Sequence, residues 1–386
     1  MRRRIWAFFF ILGLLLLPPV GEGAESSGWG DAPEGNEHQD YFDHPGYSME
    51  VVRGRILEVE DREGDAVHDF FVLQQVARVE ILSGKVKGQE FTITNELFGH
   101  PGYDLELEEG LEMYFMIDFV YDDVVEVRLS DHVRDRYAYY LVALLVLLML
   151  IIGRVKGLKA LITLVLTGLL IWKYFLPLLH RGHDPIFLAI TLTTFVTLVT
   201  LLVIGGANKK SYAAILGTVG GLLIAGFLAL LAGNLARLTG FSSQEAQMLA
   251  FSETGITNIR GILFAGILIG SLGAVMDVTI SVASACMEMV QLDKTISRSR
   301  LIKGGMNVGR DIMGTMSNTL ILAYTGSTLP LLLLLYIHEV PLNRIMNMDM
   351  IATEVIRAVS GTIGLVVAIP LTALLAGLFL VQEKKN

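Results

Sequence analysis

Hydrophobic and polar positions follow two different patterns along this chain, and the change falls near residue 130. Before it, short runs of apolar and β-branched residues show partial alternation, which is typical of β-strands. After residue 137, apolar runs of about twenty residues recur, and this is the length that an α-helix needs to cross a bilayer. The pattern predicts a β domain followed by membrane-spanning helices.

The predicted β domain covers residues 49–130. Turn sequences such as DREGD and FGHPGYD separate five strand-like segments: MEVVRGRILEVE, FFVLQQVARVEIL, QEFTITNEL, LEMYFMIDFV and VVEVRLS. Five strands in about eighty residues predict a small closed or nearly closed β-barrel, for which an OB-like fold is the nearest analogy. We expect this domain to be a docking or ligand-sensing module, or a structural cap.

The helical region, residues 137–386, contains seven predicted spans. Tyrosines 137, 139 and 140 mark a membrane interface at its start. The first span ends at residue 152, and a seventh contains Pro370; those between them cover residues 158–178, 185–204, 213–235, 262–285 and 312–334. In the fourth span, the spacings of Gly217, Gly220, Gly221 and Gly226 allow close helix approach.

The N-terminus and the basic loops predict the orientation. Residues 1–23 have three arginines, an apolar stretch and a proline pair, which predict a signal peptide or an uncleaved signal anchor. Residues 24–48 are polar and are interpreted as a linker. The basic loops fall on the same side as the N-terminal arginines if seven spans follow the β domain. We therefore expect a multi-pass membrane protein with residues 24–136 on the extracytoplasmic side.

The fifth apolar segment is longer than a simple span and carries a carboxylate. It stays mostly apolar from Asn258 to Val290. Gly270 and Gly273 are the predicted positions of a helix break, and the alternative is one long tilted helix. Asp277 follows four residues after Gly273, and a carboxylate in hydrocarbon costs several kcal/mol unless it is solvated or paired.

The sixth segment has a related arrangement, because Gly314 precedes Asn318 by four residues. If the two segments cross in opposite directions, Asp277 and Asn318 lie at a similar depth, roughly 10 Å from their cytoplasmic ends. A contact between the two side chains is then geometrically possible.

Two roles are open for Asp277. In a structural role, its carboxylate accepts a hydrogen bond from a neighbouring polar side chain or pairs with an arginine. In a functional role, it binds a cation, a substrate amine or a proton, because ionisable groups inside membranes commonly mark transport pathways. The candidate site comprises Asp277, Asn318, Thr279, Ser281 and Arg310, with Gly270, Gly273 and Gly314 as helix-break positions, and its metal content stays unassigned.

Composition and charge exclude several classes of protein. The formal net charge of −9 hides an asymmetry, since acidic residues crowd residues 22–135, and an acidic exported domain argues against nucleic-acid binding. The single cysteine, Cys286, permits neither an intrachain disulfide nor a cysteine metal cluster. No P-loop, GxSxG or HExxH motif is present, so we expect neither an enzyme nor a bound cofactor.

Two segments carry a resemblance to a known family. GSLGAVMDVTISVASA (residues 270–285) and GRDIMGTMSNTLILAY (residues 309–324), downstream of the β domain, resemble the YibE/F-like family of bacterial integral membrane proteins, over about residues 50–380. The resemblance implies a protein of the bacterial cytoplasmic membrane and brings no established substrate. We expect a permease-like transporter or channel component for a small solute or ion; the alternative is a non-transporting scaffold or sensor whose β domain binds a protein partner.

Overall fold

The computed structural model describes residues 46–63, 73–100, 102–251 and 258–381. The chain divides into two compact units, Met1–Leu147 and Leu148–Asn386, and each is described by itself. The predicted signal segment and all but the last three residues of the predicted linker lie outside the described residues.

The first unit contains a five-stranded antiparallel sheet. Its strands are β1 (Tyr47–Glu63), β2 (Leu73–Ile81), β3 (Glu90–Leu97), β4 (Glu112–Val120) and β5 (Asp123–His132). The strand order is β3-β2-β1-β4-β5, so the long β1 pairs with both β2 and β4. Each predicted strand is present within a few residues of its expected position. The sheet curls into a half-barrel, which confirms the OB-like architecture in its partly open form.

An apolar core and a bulge give the sheet its curvature. Alternate residues of β2 and β4 point into the core, where Val79, Phe115 and Ile117 are fully buried. The pairing of β1 with β2 shifts register between Ile56 and Glu58, which is a β-bulge that bends the strand. The bulge bends β1, so that this one continuous strand can pair with both β2 and β4 in a curved sheet.

Strand β4 also carries a buried acid, Asp118. Its carboxylate accepts a hydrogen bond of 2.7 Å from the Tyr47 hydroxyl and pairs with Arg128. Burial of the phenol and, second, its hydrogen bond to Asp118 raise the pKa of Tyr47 to about 12. A buried acid that has both a donor and a cation beside it fixes the local structure.

Further ion pairs connect β1 and β4 to the residues that follow the sheet. Asp135 accepts a hydrogen bond from Arg53, and Glu112 accepts hydrogen bonds from Arg55 at 3.1 Å and from Arg136 at 2.8 Å. The hydrogen bond from Arg55, followed by that from Arg136, holds the pKa of the Glu112 carboxyl below its ordinary value.

Helices make up the rest of the described chain. They are α1 (Asp135–Leu170), α2 (Leu176–His180), α3 (Pro185–Gly205), α4 (Lys209–Leu235), α5 (Gln244–Phe251), α6 (Ile259–Leu292), α7 (Arg298–Ser327), α8 (Leu329–Ile337), α9 (Leu342–Ile345) and α10 (Asp349–Leu380). One π-helical turn, Ile171–Phe175, joins α1 to α2.

Within the described residues, five helical stretches are long and apolar enough to cross a membrane, and α7 with α8, bent by 63°, forms a sixth. The prediction of seven spans divides the run Asp135–His180 in two. This run is 46 residues long, about twice the length that one crossing needs. Its backbone is non-helical at Arg154 (φ 46°, ψ −123°), where the prediction places the basic RVKGLK loop. The break divides the run, although the helix resumes without an intervening loop.

Glycines allow the helices of the second unit to pack closely. At the crossing of α4 and α10, a methyl group at Gly221 would lie 2.8 Å from the carbonyl oxygen of Gly364, and one at Gly364 would lie 2.8 Å from that of Gly221. Only two glycines can bring the two backbones this near. The prediction of close approach in the fourth span is thus confirmed at Gly221.

The predicted helix break in the fifth segment is wrong. Helix α6 runs without interruption from Ile259 to Leu292, and Gly270 and Gly273 lie inside it. Gly314 likewise lies inside α7. A glycine costs a helix only about 1 kcal/mol, and the packing of α6 against α3, α4, α7 and α10 outweighs that cost. The alternative of one long helix is the one observed.

Candidate functional site

One face of α6 is exposed along most of its length, although the opposite face is the best buried surface of the second unit. The exposed positions recur every three or four residues, which is the spacing of one helix face. They are Gly266, Gly270, Gly273, Asp277, Ser281 and Glu288. No other atom lies within 4 Å of a methyl group placed on Gly266 or Gly273, so this face is bordered by open space.

Asp277 lies near the middle of this face. None of the described residues donates a hydrogen bond to its carboxylate or forms an ion pair with it. An aspartate at the centre of a spanning helix costs about 3 kcal/mol on insertion scales when it has no compensation. The arrangement therefore calls for water, an ion or another polar surface at this position.

The other candidate residues do not solvate Asp277. The Thr279 hydroxyl lies on the buried face and shares a hydrogen bond of 2.6 Å with the Thr218 hydroxyl of α4. The Ser281 hydroxyl donates to the backbone carbonyl oxygen of Asp277 at 2.7 Å, not to its carboxylate. Arg310 donates to Asn307 on its own helix at 3.1 Å. The predicted structural partners of Asp277 are thus engaged elsewhere.

Contacts between α6 and α7 fix the level of Asn318. The two helices are antiparallel: a methyl group at Gly270 would lie 2.7 Å from the Tyr324 hydroxyl, and one at Gly305 would lie 2.6 Å from the Cys286 sulfur. Asp277 lies between these two levels, opposite the turn of α7 formed by residues 314–318. The predicted common depth of Asp277 and Asn318 agrees with this packing.

The side chain of Asn318 nevertheless lies on the exposed side of α7. It follows Gly309, which packs against Ile369 of α10, by nine residues, and at ~100° per residue this places Asn318 on the side of α7 that faces away from α10. Asn318 is exposed, as are Gly314 and Thr315 beside it. The predicted contact between Asp277 and Asn318 within one chain is therefore not formed, because each residue lies on the outward face of its own helix.

A charged cluster that the sequence analysis did not identify lies near Gly270, on the N-terminal side of Asp277. The Glu354 carboxylate forms an ion pair of 2.9 Å with the Arg357 guanidinium, which lies 5.9 Å from the centre of the Tyr324 ring. The Tyr324 hydroxyl in turn covers Gly270 on the exposed face of α6. Opposite charges three residues apart in the apolar segment IATEVIR were the signal for this cluster.

Part of this cluster has no hydrogen-bond partner. Within the described ranges, the second carboxylate oxygen of Glu354 and the Nε atom of Arg357 are buried and unpaired. Buried polar atoms are rarely left unsatisfied, and bound water or a small polar ligand commonly completes such sites. The exposed face of α6 therefore meets polar groups at two places. One is Asp277 itself, and the other is Gly270, which the cluster reaches through Tyr324; Gly273 lies between them.

In the part of the chain that the structure describes, no three His, Cys, Asp or Glu side chains come together in a group that could hold a metal ion. A single carboxylate with open space beside it can bind a monovalent cation, an amine or a proton.

Comparisons with known proteins match only the helical region. A family model described as YibE/F-like protein matches residues 141–382. This match contains both quoted segments and the helices α6, α7 and α10. It does not reach the sheet, although the resemblance in sequence was expected to begin at about residue 50. No curated protein and no solved structure gives a significant match.

Proposed function

The chain belongs to the YibE/F-like family of membrane proteins, and from this premise we propose that it is a permease-like transporter or channel component of the bacterial cytoplasmic membrane. It moves a small solute or ion along the exposed face of α6, and Asp277 is the binding group on this path. The β domain lies on the extracytoplasmic side of this membrane.

The observation that carries this proposal is the position of Asp277. A carboxylate that serves only to hold helices together has a donor or a cation in the same protein, as Asp118 has in the sheet. Asp277 has neither among the described residues, although it lies near the middle of a helix of 34 residues. A group kept available in this way suits reversible binding of a positively charged or protonatable species.

The glycines of α6 support a path on the N-terminal side of this aspartate. Gly266, Gly270 and Gly273 remove side-chain bulk from the face that leads from Asp277 towards the start of α6. Tyr324 crosses this face at Gly270 and is held there by Arg357. We assign Tyr324 to the narrowest point between the extracytoplasmic side and Asp277.

The experiment compares the full chain with Asp277→Asn after reconstitution into liposomes. The probes are Na⁺, K⁺ and protons, followed with ion-sensitive dyes, and the ion and metabolite contents of deletion and restored cells nominate further solutes. We expect Asp277→Asn to insert normally and to lower flux at least tenfold. The matched control is Glu288→Gln, which removes a carboxylate from the same face near the end of α6 and should leave flux within twofold.

Unchanged flux in Asp277→Asn would remove Asp277 from the path. If deletion of residues 49–130 abolishes the cellular role while Asp277→Asn is tolerated, the scaffold or sensor alternative replaces transport. These two variants therefore separate the two classes of function.

A further inference from the structure

We propose that the outward faces of α6 and α7 are covered by a second copy of this chain, and that Asp277 of each protomer accepts a hydrogen bond from Asn318 of the other. The two copies are related by a twofold axis perpendicular to the membrane. This inference concerns assembly; in the assembled protein, the path proposed along α6 runs between the two copies, beside the bond between Asp277 and the partner's Asn318.

The composition of α7 is the first observation that favours a second copy on this face. This helix is not among the five that are apolar enough to span alone, and its buried residues form a narrow stripe of Leu301, Gly305, Gly309 and Leu320. Its opposite side exposes polar residues in the middle of the helix, Asp311, Thr315 and Asn318 among them. Lipid chains cannot satisfy these groups, so a polar surface covers them.

The second step is the match in depth between an acceptor and a donor. Asp277 and the turn that contains Asn318 lie at one level, as the flanking α6–α7 contacts show. A twofold axis perpendicular to the membrane leaves depth unchanged, and in such an interface residue i contacts residue j twice. The Asn318 amide, which cannot reach its own Asp277, thus meets the partner's Asp277, and the reverse contact forms at the same time.

Open space beside α6 is the third step. Gly266 and Gly273 leave room for another helix to approach the exposed face closely, which is how small residues act at helix contacts inside membranes. The apolar N-terminal stretch IWAFFFILGLLLL of the same chain is a less suitable occupant, because it contains no side chain that could donate a hydrogen bond to Asp277 at mid-membrane apart from Trp6 near its end. A second copy supplies both the helix and the amide donor.

The test uses cysteine cross-linking between two differently tagged full-length chains. Both carry Cys286→Ala, which removes the single native thiol. One chain carries Asp277→Cys and the other Asn318→Cys, and a short bis-maleimide is applied in native membranes. We expect a doubly tagged dimer, with a yield at least tenfold above that of a pair in which Leu223→Cys replaces Asp277→Cys. Leu223 is exposed on α4 within about one helical turn of the same level.

A second pair, Ser281→Cys with Asn318→Cys, protects the test against a folding defect of Asp277→Cys, since Ser281 lies one turn along the same face. Equal yields from the α6 pairs and the α4 control would overturn the proposal, as would a single photobleaching step per particle for the labelled native chain in nanodiscs. A cross-link to a different protein would replace the second copy as occupant. None of these readouts depends on flux, so failure here is distinct from failure of the transport proposal.

Discussion

At the residue scale, two carboxylates differ in their surroundings, and this difference distinguishes a structural role from a binding role. Asp118 is buried in the sheet, where Tyr47 donates to it and Arg128 neutralises it. Asp277 lies in a spanning helix, is exposed on its own protomer and has no such partner among the described residues. The first is fixed by contacts within its own chain, whereas the second has no such contacts among the described residues and faces outward.

The ion pair at Asp118 yields a stability prediction. We expect Asp118→Asn to lower the free energy of unfolding of the sheet by about 3 kcal/mol, because Arg128 loses the carboxylate that compensates it. Pulse proteolysis of the full chain in detergent measures this change. Glu126→Gln is the matched control, since Glu126 also pairs with Arg128 but is more exposed, and it should cost under about 1 kcal/mol. Equal losses in both variants would contradict the role given to Asp118.

The phenol of Tyr47 yields a pH prediction. Its pKa is about 12 in the folded protein, above the ordinary value of 10.0 for a tyrosine, because burial and Asp118 disfavour the phenolate. The contribution of neutral Tyr47 to stability is therefore complete below pH ~10 and is lost as pH rises towards ~12. Unfolding experiments across this range should show a slope that Tyr47→Phe reduces. An unchanged slope would show that other groups control alkaline unfolding.

At the element scale, the strands and the interruption near Arg154 were predictable, whereas the interruption expected at Gly270 and Gly273 is not formed. Alternation and turn residues located all five strands, because an exposed face and a buried face leave a period of two in the sequence. Gly270 and Gly273 suggested a break that packing overrides, whereas the break at Arg154 falls where the prediction places the basic RVKGLK loop. Glu354 and Arg357 were visible in the sequence, but their link to α6 depends on Tyr324, which only the folded chain brings to Gly270.

The crossing of α4 and α10 gives a prediction with neighbouring glycines. A methyl group at Gly221 would meet a backbone carbonyl at 2.8 Å, whereas one at Gly220 would meet only the end of the Leu371 side chain, which can move. We expect Gly221→Ala to lower the thermal unfolding temperature in detergent by several degrees, as overpacking of about 1–3 kcal/mol implies. Gly220→Ala should leave it within about one degree. Similar behaviour of the two variants would contradict the observed crossing.

At the scale of the whole molecule, the number of membrane crossings depends on the run Asp135–His180. Its length suffices for two crossings, and the break at Arg154 divides it near its middle. The basic loops agree with two crossings, since RVKGLK then joins the other Lys- and Arg-rich loops on one side. Sequence hydropathy located the apolar runs but could not show whether the helix turns at this break.

Cysteine labelling tests this topology. In a Cys286→Ala background, Glu60→Cys in the sheet and Arg181→Cys after α2 lie on either side of the run, and both positions are exposed. Two crossings place both thiols on the same side, so a membrane-impermeant maleimide applied to intact cells should label both equally. Labelling of only one position would show a single crossing and reduce the number of spans to six.

The pairing of β1 has a consequence for the order of folding during synthesis. β1 is complete at Glu63, but its second edge pairs only with β4, which ends at Val120. At typical translation speeds, the ribosome needs roughly 3 to 11 s to add the intervening residues. During that interval β1 can pair only with β2, and one edge of the nascent sheet stays open to other chains. A chaperone that shields extended backbone would therefore matter most before residue 120 has emerged.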